Sequence, residues 1–168
     1  MTFTIRDASI PIYKRGLRTL DHLLGKAEAH AGEHKSDVKL LLDAKLAPDM
    51  FTFCKQVQIA CDHAKGGAAR LAGVEPPKHD DTETTVAELR DRVAKTRAFI
   101  DSLDAALYNG AEDKQITLKY PWATYEFTGE KFLTYWSLPN FYFHVTTAYA
   151  ILRNQGVKIG KGDFLGQG

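Results

Sequence analysis

The sequence lacks any uninterrupted apolar run of about 18 residues, the length a membrane-spanning helix needs. Its N-terminus, MTFTIRDASIPIYKRG, lacks the apolar centre of a secretory leader. Charge of one sign is missing too: 22 Lys and Arg stand against 21 Asp and Glu. Such a mixed surface gives no basic footprint, so neither nucleic acid nor membrane is expected as a partner. Cysteine is scarce, with Cys54 and Cys61 alone. Seven residues apart on a helix, they lie roughly 10 Å apart along its axis, beyond the reach of a disulfide. Reduced thiols point to a cytoplasmic protein. No internal repeat and no low-complexity segment is visible.

What is present is an ordinary globular composition. Apolar residues make up 44% of 168 residues, which suits one domain over residues 1–168 with a buried core.

Helical periodicity dominates the chain. Ser9 is placed to cap a first helix, with Pro11 in its first turn. Tyr13, Leu17, Leu20, Leu24 and Ala27 then recur at steps of three and four, with Asp21 as the one polar member. The helix fades near Gly32. His30 and His34 share i,i+4 spacing, which suits a metal pair on a helix. Gly32 between them, charged neighbours and the lack of a third donor make an exposed helix end the simpler reading.

Ser36 is placed to cap a short helix through Leu42, and Asp49 a second long helix to Ala72, which Gly73 stops. Met50, Phe53, Cys54, Val57, Cys61, Ala64, Ala68 and Leu71 form its stripe. The C-terminal half is rich in Ala and Gly, which allow close approach of a neighbour or leave a cavity. His63 lies roughly 120° from the stripe centre at 100° per residue, a surface or interface position rather than a ligand.

Thr85 and Glu88 form a capping box for a third helix. Val86, Leu89, Val93, Thr96, Ile100, Leu103 and Leu107 continue it to Asn109-Gly110, and Thr96 is placed to back-bond to the helix carbonyls. The period then changes to two. Gln115–Tyr120 and Ala123–Phe127 flank Pro121-Trp122 as a β-hairpin that must lie on the helices. A fourth helix starts at Thr128 or Gly129, is kinked or divided at Pro139, and stops at Gly156. Phe141, Val145, Ala148 and Leu152 form its stripe. Asn140, His144 and Ile151 line one edge, Tyr142 and Tyr149 the other. The expected fold is all-α: an antiparallel four-helix bundle with a hairpin between the third and fourth helices.

Two sets of strings carry a resemblance. One is Leu46-Ala47-Pro48-Asp49-Met50-Phe51, with Gln56-Val57 and Arg70-Leu71-Ala72-Gly73. The other is Leu138-Pro139-Asn140-Phe141-Tyr142-Phe143-His144, with Thr147-Ala148-Tyr149, Ile151-Leu152-Arg153, Gly156, Ile159-Gly160-Lys161 and Asp163-Phe164-Leu165-Gly166. They resemble a family of bacterial and fungal domain-of-unknown-function proteins, a branch of the DinB/YfiT-like four-helix bundles. The resemblance implies a divalent metal, such as zinc or nickel, on three histidines: one from the second helix and an H-x-x-x-H pair from the fourth. His144 matches the second histidine of that pair. Asn140 stands where the first would be. Val57, Cys61 and Ala64 occupy the core-facing positions of the second helix. Two donors of three are absent, so no metal or other cofactor is expected, with His144 the residual ligand if one binds.

The candidate site therefore gathers around His144, with Asn140, Tyr142, Tyr149 and Cys61 as pocket residues. His144 reads as a core-edge histidine satisfied by Asn140, a tyrosine hydroxyl or a backbone carbonyl, or as a group that binds or protonates a small molecule. No nucleophile, base and orienter can be named from spacing. Among small apolar neighbours, Cys61 reads as an inert thiol. The tail after Gly156 lacks the order of a phosphate loop. It reads as a cover anchored by Ile159, Phe164 and Leu165, with Lys161 and Asp163 paired or at a pocket mouth. The aromatic residues Phe132, Tyr135, Trp136, Phe141, Tyr142 and Phe143 exceed one helix face, which suits a homodimer. The resulting expectation is a metal-free, dimeric bundle holding a small ligand near His144. The alternative implied by the resemblance is a metal- or thiol-dependent transferase or hydrolase.

Overall fold

The computed structural model describes residues 3–166, so the four terminal residues of the expected 1–168 domain lie outside it. Helix α1 spans Ile10–Glu33. Tyr13, Leu17, Leu20, Leu24 and Ala27 share its inner face and are fully buried. Ser9 precedes it but does not cap it. The Ser9 hydroxyl donates backwards to the carbonyls of Ile5 and Arg6, which the preceding turn holds within reach. Asp21 leaves the apolar stripe to accept two hydrogen bonds from Arg90, at 2.8 and 3.2 Å.

Helix α2 is a single turn, Lys39–Leu42. Its first turn is held by Asp37, whose carboxylate accepts from the Lys39 N–H at 2.8 Å, rather than by Ser36. Helix α3 spans Phe53–Ala72. Thr52, not Asp49, caps it, accepting from the Lys55 N–H at 3.2 Å. A turn closed by Met50 N–H on Ala47 O keeps Asp49 and Met50 outside the helix. Gly73, at φ 75°, ends it in the left-handed conformation that glycine adopts without strain.

Helix α4 spans Val86–Ser102 behind the Thr85–Glu88 capping box. It stops short of the apolar pattern. Leu103 turns extended and Asp104 caps a separate 3-10 turn, Ala105–Tyr108, so Leu107 is exposed and Asn109-Gly110 closes that turn instead. The break lets Tyr108 reach α3, where its hydroxyl donates to Ala68 O at 3.1 Å. Thr96 makes no back-bond; its hydroxyl lies against the Cys61 thiol.

Strands β1 (Gln115–Tyr120) and β2 (Ala123–Thr128) pair antiparallel, with Ile116 opposite Phe127 and Leu118 opposite Tyr125. The hairpin is held to the helices by aromatic contacts. The Trp136 ring lies 4.9 Å from Tyr125, 5.8 Å from Phe127 and 6.1 Å from Tyr120.

After β2 the chain is helical to Asn154, in three pieces. Helix α5 spans Gly129–Lys131, a wider π-type segment spans Phe132–Ser137, and helix α6 spans Leu138–Asn154. Pro139 supplies no N–H to the turn before it, and the residues preceding it take the wider winding. The chain passes Pro139 without dividing. Gly129 is required here: a Cβ would collide with the Ala111 carbonyl and stand 2.9 Å from its carbon.

The long helices α1, α3, α4 and α6 form the body. Helix α3 touches the other three, and α1 also touches α4 and α6. Their inner faces, with Ile116 and Leu118 of the hairpin, share one contiguous core. The chain is thus mostly helical with one small antiparallel hairpin. Among the described residues no helix is long and apolar enough to cross a membrane.

The tail folds into a last turn, α7 (Lys161–Leu165), against α1. Phe164 meets the edge of Tyr149 at 5.8 Å, and Ile159 is buried. Leu165 is 37% exposed and does not anchor the turn, because Phe164 takes the inward position beside it. Asp163 pairs with His22 across the chain at 2.6 Å, not with Lys161.

Candidate functional site

Helix α3 carries adjacent glycines in its interior, each costing about 1 kcal/mol of helix stability relative to alanine. Both make room for polar side chains. At Gly67 a Cβ would collide with Tyr13 Oη and Ser137 Oγ and stand 2.7 Å from Tyr13 Cζ. Those two oxygens form a buried hydrogen bond of 2.6 Å that joins α1 to the π-type segment. At Gly66 a Cβ would collide with Arg70 Nη1. The guanidinium of Arg70 therefore lies back along the helix.

Beside these glycines is a cavity of about 190 Å³. Helix α3 supplies Asp62, His63, Gly67 and Arg70, β1 supplies Leu118 and Tyr120, and the π-type segment supplies Phe132, Trp136 and Ser137. The hairpin thus forms one wall and the widened turn another.

His63 connects the cavity to His144. The two rings stack nearly parallel, with centroids 5.5 Å apart. Of the surface and interface positions the sequence leaves open to it, His63 takes the interface: it is half-buried and faces α6, because three helices cover α3 and enclose more than its apolar stripe. His144 Nδ1 lies 2.7 Å from Gln56 Oε1. The Gln56 amide nitrogen faces Phe51 O at 3.4 Å, so Oε1 accepts and His144 Nδ1 carries the proton. Neutral His144 then keeps a lone pair on Nε2. Burial pushes His63 down to about 4, helped by the adjacent His144, and burial pushes His144 down to about 4. Both rings are uncharged at neutral pH.

The other sequence candidates do not converge on this pair. Asn140 donates to its own turn, to Trp136 O at 2.7 Å, instead of satisfying His144. Tyr142 packs beside Phe141, and Tyr149 meets Phe164 on the tail side. Cys61 is fully buried toward α4, and burial pushes its thiol up to about 12. A three-donor metal centre does not fit this arrangement. The parallel histidine planes do not direct their in-plane lone pairs at one point, Gln56 already occupies one His144 nitrogen, and Asn140 is spent on the backbone. Among the described residues no group of three or more His, Cys, Asp or Glu side chains is placed to hold a metal ion. At the end of α1, His30 and His34 stack at 4.1 Å, and His34 Nδ1 bonds the His30 carbonyl.

One polar centre escaped the sequence reading. Arg92 on α4 is a fully buried cation. It donates to Asp62 at 2.9 Å, to both Glu83 oxygens at 3.1 Å and to Asp80 O at 3.2 Å, and it pairs with Asp81 at 3.0 Å. Lys65, also buried, joins Asp62 at 2.9 Å, and Lys55 pairs with Asp81. This cluster fastens the connection 73–85 to α3 and α4 and fixes Asp62 at the cavity edge. Gln56 was missed for the same reason: an isolated polar residue on a helix carries no periodic signal.

The model of a domain of unknown function, DUF1993, matches residues 5–165, and the chain belongs to that family. The crystal structure of a DinB family member protein from Shewanella denitrificans is 43% identical. It superposes with a TM-score of 0.90, over 96% of this chain and 91% of that one. No curated protein matches the chain.

Proposed function

We propose that this protein is a metal-free small-molecule-binding protein on an antiparallel four-helix bundle of DinB type, with its ligand in the cavity beside His63 and His144. The observation that carries the reading is the cavity itself. It lies where α3, the hairpin and the π-type segment meet, and it combines aromatic and aliphatic walls with a neutral imidazole, a hydroxyl and the charged side chains of Asp62 and Arg70. His63 offers hydrogen bonding to the cavity at neutral pH without a charge, and the Gln56-bonded His144 stacks against it. The donor geometry and the high pKa of Cys61 favour binding over metal- or thiol-dependent transfer or hydrolysis.

The test is thermal shift and ligand-observed NMR with small neutral aromatics, beginning with benzamide, on the wild type and on Leu118→Phe. Leu118 lines the cavity and is 4% exposed, so phenylalanine fills it. Binding by the wild type that Leu118→Phe abolishes supports the reading, whereas equal binding by both sinks it. The reading includes a cytoplasmic homodimer, supported by two aromatic rings left in solvent, Tyr135 at 76% and Phe143 at 55% exposure. A monomer by light scattering at all concentrations would remove the dimer.

A further inference from the structure

We infer that the ligand of this cavity is a small planar carboxylate, and that Arg70 receives its negative charge. The inference rests on the small-molecule reading above and specifies its chemistry.

The charges at the cavity decide the sign. Asp62 is the one acidic residue lining it, and two cations, Arg92 and Lys65, hold its Oδ1, each at 2.9 Å. His63 is neutral, and the remaining lining side chains carry no charge. Arg70 is the lining cation. Among the described residues its guanidinium has no carboxylate and no hydrogen-bond acceptor. Arg92, one helix away, is surrounded by carboxylates and carbonyls. The terminal nitrogens of Arg92 are thus all paired within the chain, whereas the cavity-facing Arg70 is left without an acidic partner.

Gly66 leaves room for the Arg70 guanidinium, whose Nη1 lies where a Cβ would stand. The half-buried side chain thus lies back along the helix with its five-donor fork beside the cavity. Arginine presents paired N–H groups that match two oxygens of one carboxylate.

Size and walls fix the rest of the ligand. A volume of about 190 Å³ equals roughly six waters at about 30 Å³ each, so the group held inside is small. Tyr120, Phe132 and Trp136 give flat apolar walls, which favour a planar body. Benzoate has this chemistry, and benzamide is its neutral isostere.

The experiment is calorimetric titration of the wild type, Arg70→Gln and Arg70→Lys with benzoate, benzamide and inorganic phosphate, after matched circular dichroism shows that each variant is folded. The expected result is benzoate binding at least tenfold tighter than benzamide in the wild type. That advantage disappears in Arg70→Gln and is partly restored in Arg70→Lys, while benzamide binds all three alike. Equal binding of benzoate and benzamide in the wild type overturns the anion assignment and leaves the cavity reading standing. Benzoate binding unchanged in Arg70→Gln also overturns it. Phosphate binding more tightly than benzoate overturns the planar body. No binding of either aromatic to any form overturns the cavity reading together with this one.

Discussion

Replacing Gly67 by alanine sets two physical effects against each other. On helix propensity alone the change stabilises, by about 1 kcal/mol. The structure predicts the reverse. The new methyl would collide with Tyr13 Oη and Ser137 Oγ, and neither side chain can yield: Tyr13 is fully buried against Phe141, and Ser137 is 1% exposed. Overpacking of this kind costs about 1–3 kcal/mol. Separating the Tyr13–Ser137 hydrogen bond strands two buried hydroxyls, at a further cost of about 1–3 kcal/mol. Net of propensity, Gly67→Ala should destabilise by about 1–5 kcal/mol. At about 2–4 °C per kcal/mol for a chain of this size, the melting temperature should fall by roughly 2–20 °C. Urea titration and calorimetry measure it. Adding Tyr13→Phe removes one of the colliding oxygens, so the double variant should be less destabilised than the sum of the single changes. A Gly67→Ala protein as stable as the wild type would refute the account of why α3 carries glycine there.

The histidine pair predicts acid sensitivity. In the unfolded chain both rings titrate near 6.5, and in the folded chain near 4. Between those values the unfolded state binds more protons, so the stability from keeping the rings neutral is complete above about pH 6.5 and is lost as pH falls toward 4. The drop is worth at most about 3 kcal/mol per ring. Unfolding free energies at pH 7 and pH 4.5 should converge in the double variant His63→Gln, His144→Gln relative to the wild type, and an unchanged difference would count against the buried neutral pair. Arg92→Met should cost about 3 kcal/mol or more, because Glu83 and its acidic neighbours lose their buried counter-charge. Hydrogen exchange should quicken first in residues 73–85, and uniform quickening would speak against the fastening role.

The four long helices were legible because their apolar residues recur with the helical period, and the hairpin because the period switches to two. Caps were less legible. Ser9, Ser36 and Asp49 are all chemically able to cap, but local turns gave the positions to other groups, as at Asp37 and Thr52. The end of α4 was misread because Leu103 and Leu107 continue the heptad, whereas the Tyr108 hydroxyl draws the chain toward α3. His144 could be picked out as a polar residue at an apolar edge. Its partner could not, since Gln56 lies 88 residues away. His63 looked peripheral because a helix wheel assumes one covered side, and α3 is covered by three helices. Arg70 was visible only as a letter in a family string, since an unpaired charge becomes evident only once every neighbour is placed.

The widened turn at 132–137 has a consequence for how this chain can vary. A π-type turn accommodates one residue more than the α-helix around it, so it absorbs that residue while keeping two apolar faces in phase. Upstream, Phe132 and Trp136 meet the hairpin and the cavity; downstream, Phe141, Val145 and Ala148 meet the core. Deleting one residue here would restore regular winding and leave the two faces in phase, whereas deleting two would turn one face away from its partner by about 100°, the angle of a single α-helical residue. A change of length in this stretch is therefore tolerated only where the winding can absorb it. A relative lacking one residue between positions 132 and 137 should keep the cavity wall on an ordinary α-helix.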